Sequence, residues 1–169
     1  MQLSQADVLR HFFATSLTAE HAITRRVIEA IPEDKAGYKP QDVVKSAFEL
    51  AWHIVSAEHR FIAGVADGAF DYSSTRPDNV RTIADMSAWY ADVFARDISR
   101  VRTLAADALV KPIDFRGVFQ FPAVAYLQIG LNHSIHHRGQ LTMYLRPMGG
   151  AVPAIYGDSY DTARQKSTA

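Results

Sequence analysis

A chain of 169 residues, 48% of them hydrophobic, can bury a substantial core as a single domain, residues 1–169. It contains no cysteine, which excludes a disulfide framework, a thiolate metal site and a cysteine nucleophile of its own. Lysine plus arginine equal aspartate plus glutamate at 18 each, and no basic run tracks along the chain, so nucleic-acid binding loses its usual support.

From Gln5 to Ile31, the apolar residues Leu9, Phe12, Phe13, Leu17, Val27, Ile28 and Ile31 recur at helical spacing, predicting a first helix stopped by Pro32. Gly37 and Pro40 mark a connecting loop. Ser46-Ala47-Phe48-Glu49 has the spacing of a capping box, and Leu50, Ala51, Ile54, Ala57, Phe61, Ile62 and Val65 continue it as a second helix to about Ala66. Gly68, Pro77 and Asn79 lie in the next loop. Thr82-Ile83-Ala84-Asp85 then opens a third helix carrying Tyr90, Phe94, Ile98 and Val101 and ending near Ala108. Between Lys111 and Phe121, apolar residues alternate around Arg116-Gly117, the pattern of an extended arm or short hairpin. Pro122 suits a first helical position, and a fourth helix runs to about Leu145 before Pro147, Gly149 and Gly150. The tail from Ala151 is expected to lie along the helices and fray after Tyr160.

Four long amphipathic segments without strong strands predict an all-α protein, an antiparallel four-helix bundle with that arm or hairpin between helices three and four. The start Met1 to Gln5 lacks a signal-peptide pattern, and the longest apolar stretch, Ala123 to Leu131, is too short for a membrane span. A cytoplasmic location with no membrane partner is expected.

The chemistry concentrates in helix four, which reads Asn132-His133-Ser134-Ile135-His136-His137-Arg138. Histidines four apart stack on one side of a helix, so His133 and His137 can direct ring nitrogens at one ion, whereas His136 points about 100° from His137. Zincins share this spacing but carry glutamate where this chain has Ser134, which disfavours a metalloprotease. His53, on the edge of the helix-two stripe, is the third candidate, because an inward imidazole needs a hydrogen-bond partner or a metal. Three imidazoles without a fourth protein ligand leave a position for water or substrate, as catalytic zinc sites do.

Other residues have two readings each. Tyr126, Gly130 and Tyr144 share the ligand face; Gly130 either leaves room beside a metal or, like Gly139, permits close packing. Glu49 either serves the metal site or simply caps helix two. Arg138 either binds an anionic substrate or pairs on the surface. His11, His21 and His59 are expected to be surface or interhelical residues.

The chain resembles the DinB-like family of metal-binding four-helix bundles over nearly its whole length. Its marks are Leu50-Ala51-Trp52-His53 with Glu58, the run Asn132 to Leu141, Tyr144-Leu145-Arg146 with Gly149, and Pro153-Ala154-Ile155-Tyr156-Gly157. The resemblance implies a divalent metal, zinc or nickel, on His53, His133 and His137. Zinc is the first choice and nickel the second, although imidazole itself suits several metals. It also implies thiol-dependent transfer, in which a small external thiol is activated for attack on an electrophilic substrate, and the absence of cysteine fits an external thiol. The alternatives are a metal-dependent hydrolase, whose nucleophile is bound water, and a non-catalytic metal-binding stress-response protein. A homodimer is expected from the same resemblance and from the outlying aromatics Phe13 and Trp89.

Overall fold

The helix boundaries follow from their caps. The computed structural model describes residues 1–168. The Glu49 N–H donates to Ser46 Oγ at 3.2 Å and the Ser46 N–H donates to Glu49 Oε2 at 2.8 Å, opening α2 (Ala47–Asp67). Thr82 and Asp85 make the same reciprocal pair at the start of α3 (Ile83–Arg102). Before these runs α1 (Leu3–Glu29), and after them α5 (Ala123–Leu145), for which Pro122 is the capping residue rather than the first helical one.

Two segments, the end of the third helix and the tail, differ from the sequence expectation, and between them the structure decides the arm in favour of the expected hairpin alternative. The third helix stops at Arg102, because the Thr103 hydroxyl donates back to the Arg100 carbonyl at 3.1 Å; α4 (Ala106–Val110) then begins separately and buries Leu109. The arm is a hairpin: β1 (Pro112–Phe115) pairs antiparallel with β2 (Phe119–Pro122), Phe115 opposite Phe119. Its turn needs positive φ at Arg116 (57°) and Gly117 (69°), which the glycine supplies without strain. The tail does not fray after Tyr160. The Ser159 side chain accepts from the Thr162 N–H at 3.1 Å, capping α6 (Tyr160–Ser167).

The protein is mostly helical, with this one small sheet. Each of the four long helices packs on two others: α1 on α3 and α5, α2 on α3 and α5. Their directions depart from an all-antiparallel arrangement. Trp52 meets Trp89, Glu58 meets Tyr90 and His59 meets Asp97, so α2 and α3 run the same way, and residues 68–82 return along the molecule to make this possible. Arg10 reaches the Leu104 carbonyl while Arg25 reaches Ser87, so α1 opposes α3. His53 lies at His137 and Phe61 at Gly130, so α2 opposes α5.

The apolar core is divided in two. One cluster joins Phe13, Leu17, Phe61, Phe94, Ile98 and Leu127; the other joins Ile28, Leu50, Ile54, Met86, Leu141 and Leu145. Between them sits a waist with buried His21, Thr24, Glu58, Ser134 and Arg138. Tyr90 donates to Glu58 Oε1 at 2.5 Å there. Phe13 belongs to the core and Trp89 packs on Trp52, so neither is the outlying aromatic that suggested a dimer. Among the described residues, no helix is long and apolar enough to cross a membrane.

Candidate metal centre

The centre forms at the waist, where α2 and α5 run side by side. His53 projects from α2, and His133 and His137 project one turn apart from α5. His53 Nε2 lies 3.1 Å from His133 Nε2 and 3.2 Å from His137 Nε2, and the three ligand atoms all fall within 4.8 Å of one another. Neutral imidazoles cannot satisfy this arrangement among themselves: the single proton or lone pair on His53 Nε2 serves one neighbour well, not two. One cation accepting a lone pair from each ring resolves the conflict. Tetrahedral zinc with Zn–N bonds near 2.0–2.1 Å sets its nitrogens about 3.4 Å apart, close to the two short separations here. The residues present therefore fit a divalent ion.

The surroundings set tautomer and charge. Gln140 Oε1 lies 3.0 Å from His137 Nδ1, so the proton belongs on Nδ1 and the lone pair on Nε2, facing the other rings. Burial, followed by the neighbouring charges of His137, His53 and His136, lowers the His133 pKa to about 4. Burial likewise lowers His53, aided by His137, Lys45 and Arg60. Both rings are thus neutral near pH 7, the form that binds metal. The Phe61 ring, 6.1 Å from that of His133, walls one side, while His53 borders an open cavity of about 560 Å³ together with Trp52 and Ser56.

Among the described residues, no fourth histidine or carboxylate joins the group. Glu49 is committed to its capping box, and its pKa is lowered chiefly by the hydrogen bond from the Ser46 backbone. His136 is exposed and stands outside the group, although its ring lies 4.8 Å from that of His137.

Arg138 follows neither expectation. It is 2% exposed rather than on the surface; it pairs with Glu20 at 2.5 Å, donates to Thr24 Oγ1 at 3.2 Å and donates to the hydroxyl of the exposed Tyr156 at 2.7 Å, tying α5 to α1 and the tail. Tyr126 is structural, its hydroxyl donating to the Ile113 carbonyl at 2.7 Å. Tyr144 is buried, its ring 6.2 Å from that of Tyr38. Gly130 permits close packing against Phe61, but Gly139 is exposed with open space around it, so packing does not explain it.

His21 stacks on Phe94 inside the waist, His11 is exposed, and His59 Nδ1 bridges α2 to α3 at 2.6 Å from Asp97. Burial alone would raise Asp97, but hydrogen bonds with His59 and Arg96 outweigh it and leave the pKa lowered.

The DinB family model matches residues 3–168. The chain belongs to the DinB family. It is 28% identical to the uncharacterized protein YjoA of Bacillus subtilis (strain 168), over 89% of this chain and 94% of that one. With YrdA of the same organism, also uncharacterized, it shares 25% identity, covering 89% of each chain. The crystal structure of the DinB-like YjoA superposes with a TM-score of 0.69 at 24% identity, over 89% of this chain and 97% of the other, a likeness of fold. A DinB-like protein from Bacillus cereus ATCC 10987 superposes with a TM-score of 0.72 at 25% identity, over 85% of this chain and 95% of that one. The long helices that build the histidine group thus recur as the scaffold of other DinB proteins.

Proposed function

We propose that this DinB protein holds a divalent metal, zinc first and nickel second, on His53, His133 and His137, and uses it to activate a small thiol for transfer to an electrophilic substrate. The observation that carries the reading is the convergence of three Nε2 atoms beside an open cavity, with no fourth protein ligand among the described residues. The ion's contribution there is to lower the pKa of a coordinated thiol, so that thiolate is present at neutral pH. The chain's own residues do the rest: three rings hold the ion, Gln140 orients His137, and Phe61 keeps water from one side of His133. In the transfer, the thiol proton passes to solvent, a sulfur–carbon bond forms, and the leaving group departs with its bonding pair. The absence of cysteine from the chain is consistent with a thiol supplied from outside.

We also read α1, α2, α3 and α5 as a four-helix bundle whose waist houses the centre, and propose self-association as a homodimer, which light scattering tests. For the activity, untagged protein purified without added metal is assayed for bound elements, then incubated with low-molecular-weight thiols and a chromogenic electrophile. One ion per chain and thiol consumption that stops when the metal is chelated are expected. Turnover without thiol would assign the nucleophile to water and the protein to the hydrolases. Stoichiometric metal with no turnover of either kind would leave a binding protein.

A further inference from the structure

The cavity beside His53 has an unusual charge. Its wall carries four cations from three separate stretches of chain: Lys39 and Lys45 from the loop before α2, Arg60 from α2, and Arg76 from residues 68–82. Among the described residues, none of the four forms an ion pair with a carboxylate. Composition does not force this, since the chain carries 18 acidic residues for 18 basic ones. Nine of the other fourteen cations are in ion pairs, as in Arg96 with Asp97, Arg146 with Asp161 and Lys166 with Asp158, so an unpaired cation is not rare by itself but four around one cavity is a concentration of them. Two carboxylates also line the cavity, Asp42 and the capping Glu49, which keeps its charge near Lys39 and Lys45, so two negative charges face four positive ones and the wall stays net cationic.

The two guanidinium groups are held in place without being neutralised. Arg76 lies over the Phe48 ring at 4.9 Å and Arg60 faces the Tyr72 ring at 5.9 Å. Stacking on an aromatic face restrains a guanidinium while leaving its in-plane N–H groups free for an oxygen acceptor. Arg60 Nε is buried and has no hydrogen-bond partner, a cost that a bound acceptor would remove. Like charges gathered around one concavity repel each other and raise the local concentration of anions. His53 lines the same cavity as Lys45 and Arg60, which places this charge beside the histidine group.

We propose that the cavity is an anion subsite, which takes a multiply charged oxyanion group, carboxylate or phosphate, on the molecule whose reactive atom reaches the metal centre. The substrate class follows: a small polyanion, bound by Lys39, Lys45, Arg60 and Arg76 at one end. This rests on the metal reading above for what happens at the other end, but the binding itself does not require the ion.

The test uses the tryptophans, because Trp52 lines the cavity and its ring packs, tilted, 4.9 Å from that of Trp89, the only other one in the chain. Tryptophan emission of metal-free and zinc-loaded protein is followed during titration with succinate, inorganic phosphate and neutral succinamide at constant ionic strength. Saturable binding of at least one anion, with none of succinamide, is expected in both forms. A response to succinate alone assigns a carboxylate ligand, and a response to phosphate alone a phosphate ligand. Arg76→Gln and the double variant Lys39→Gln/Lys45→Gln should each weaken binding about tenfold, the loss expected for one or two charge-assisted contacts. The lysine pair is exposed, so its removal leaves the fold intact even if changes at the arginines do not. Equal responses to succinamide, no response to either anion, or variants that bind like the parent would overturn the subsite. Anion binding in a protein that takes up no zinc would leave the subsite standing and remove the metal reading instead.

Discussion

A Cβ placed on Gly130 would lie 2.9 Å from Phe61 Cβ, so α5 approaches α2 at this point as closely as a glycine allows. The same Phe61 ring stands beside His133, which makes the contact a spacer for the histidine group. Gly130→Ala gains helix propensity of about 1 kcal/mol but forces a shift costing about 1–3 kcal/mol. A net loss of stability and about tenfold weaker zinc binding are expected, since ligand positions tolerate little displacement. Thermal melts and chelator competition check both. Unchanged zinc affinity would show that this contact does not set the separation of the ligands.

Replacing His53, His133 or His137 by alanine should each reduce bound metal and abolish the gain in melting temperature that zinc gives the parent, because an ion bound only to the folded state stabilises it by mass action. His136→Ala is the internal control and should lose neither property. Elemental analysis of the four variants decides the matter. Metal retained in His53→Ala but lost in His136→Ala would exclude the triad.

Acid should destabilise the metal-free protein in a defined window. The folded-state pKa of His133 is lowered from 6.5 to about 4 and that of His53 is lowered as well, so below pH 6.5 the unfolded chain takes up protons that the folded chain refuses. Stability from these rings is fully present above the unfolded value and declines as pH falls from 6.5 towards about 4. The loss is about 1–2 kcal/mol once solvent screening of these half-buried rings is allowed for. Urea titrations across this range should show the decline in the parent and a shallower one in His133→Ala. Identical slopes would assign the acid sensitivity to other groups.

Arg138→Met leaves the half-buried Glu20 carboxylate with only the Tyr156 hydroxyl as a partner and the Tyr156 hydroxyl without its donor. A loss of about 2 kcal/mol is expected, less than for a fully buried pair because Glu20 is partly exposed and keeps the Tyr156 hydroxyl. The tail beyond Ala151 should also become sensitive to protease, since Tyr156 anchors it there. Adding Glu20→Gln should recover part of the stability, because the stranded charge is then gone. A single variant as stable as the parent would mean that the tail and α1 hold together without this pair.

Local signals carried much of this structure. Pro32, the Ser46 and Thr82 caps and the Arg116-Gly117 turn each act within a few residues, and the i, i+4 spacing of His133 and His137 reports a single helix face. Most features that depend on how helices meet were not legible, His53 being an exception because its place at the edge of the helix-two stripe marks an inward imidazole. The shared direction of α2 and α3 depends on where residues 68–82 lead, which periodicity does not encode. Arg138 reads as a substrate-binding or surface-paired residue because its actual partners, Glu20, Thr24 and Tyr156, are far away in the chain. The cations around the cavity were hidden for the same reason, none belonging to a basic run. The short helices α4 and α6 lack the length over which a periodic stripe can be recognised.

His53 and His133 stand 80 positions apart in the chain, and their nitrogens meet only when α5 has docked against α2. During synthesis on the ribosome, therefore, the nitrogen set stays incomplete until most of the polypeptide has emerged. No proteolytic fragment containing α2 without α5 can reproduce it. If the group is metallated as proposed, metal uptake becomes a checkpoint on finished tertiary structure, and a truncated or misassembled copy would be distinguishable in a cell extract by the absence of the ion.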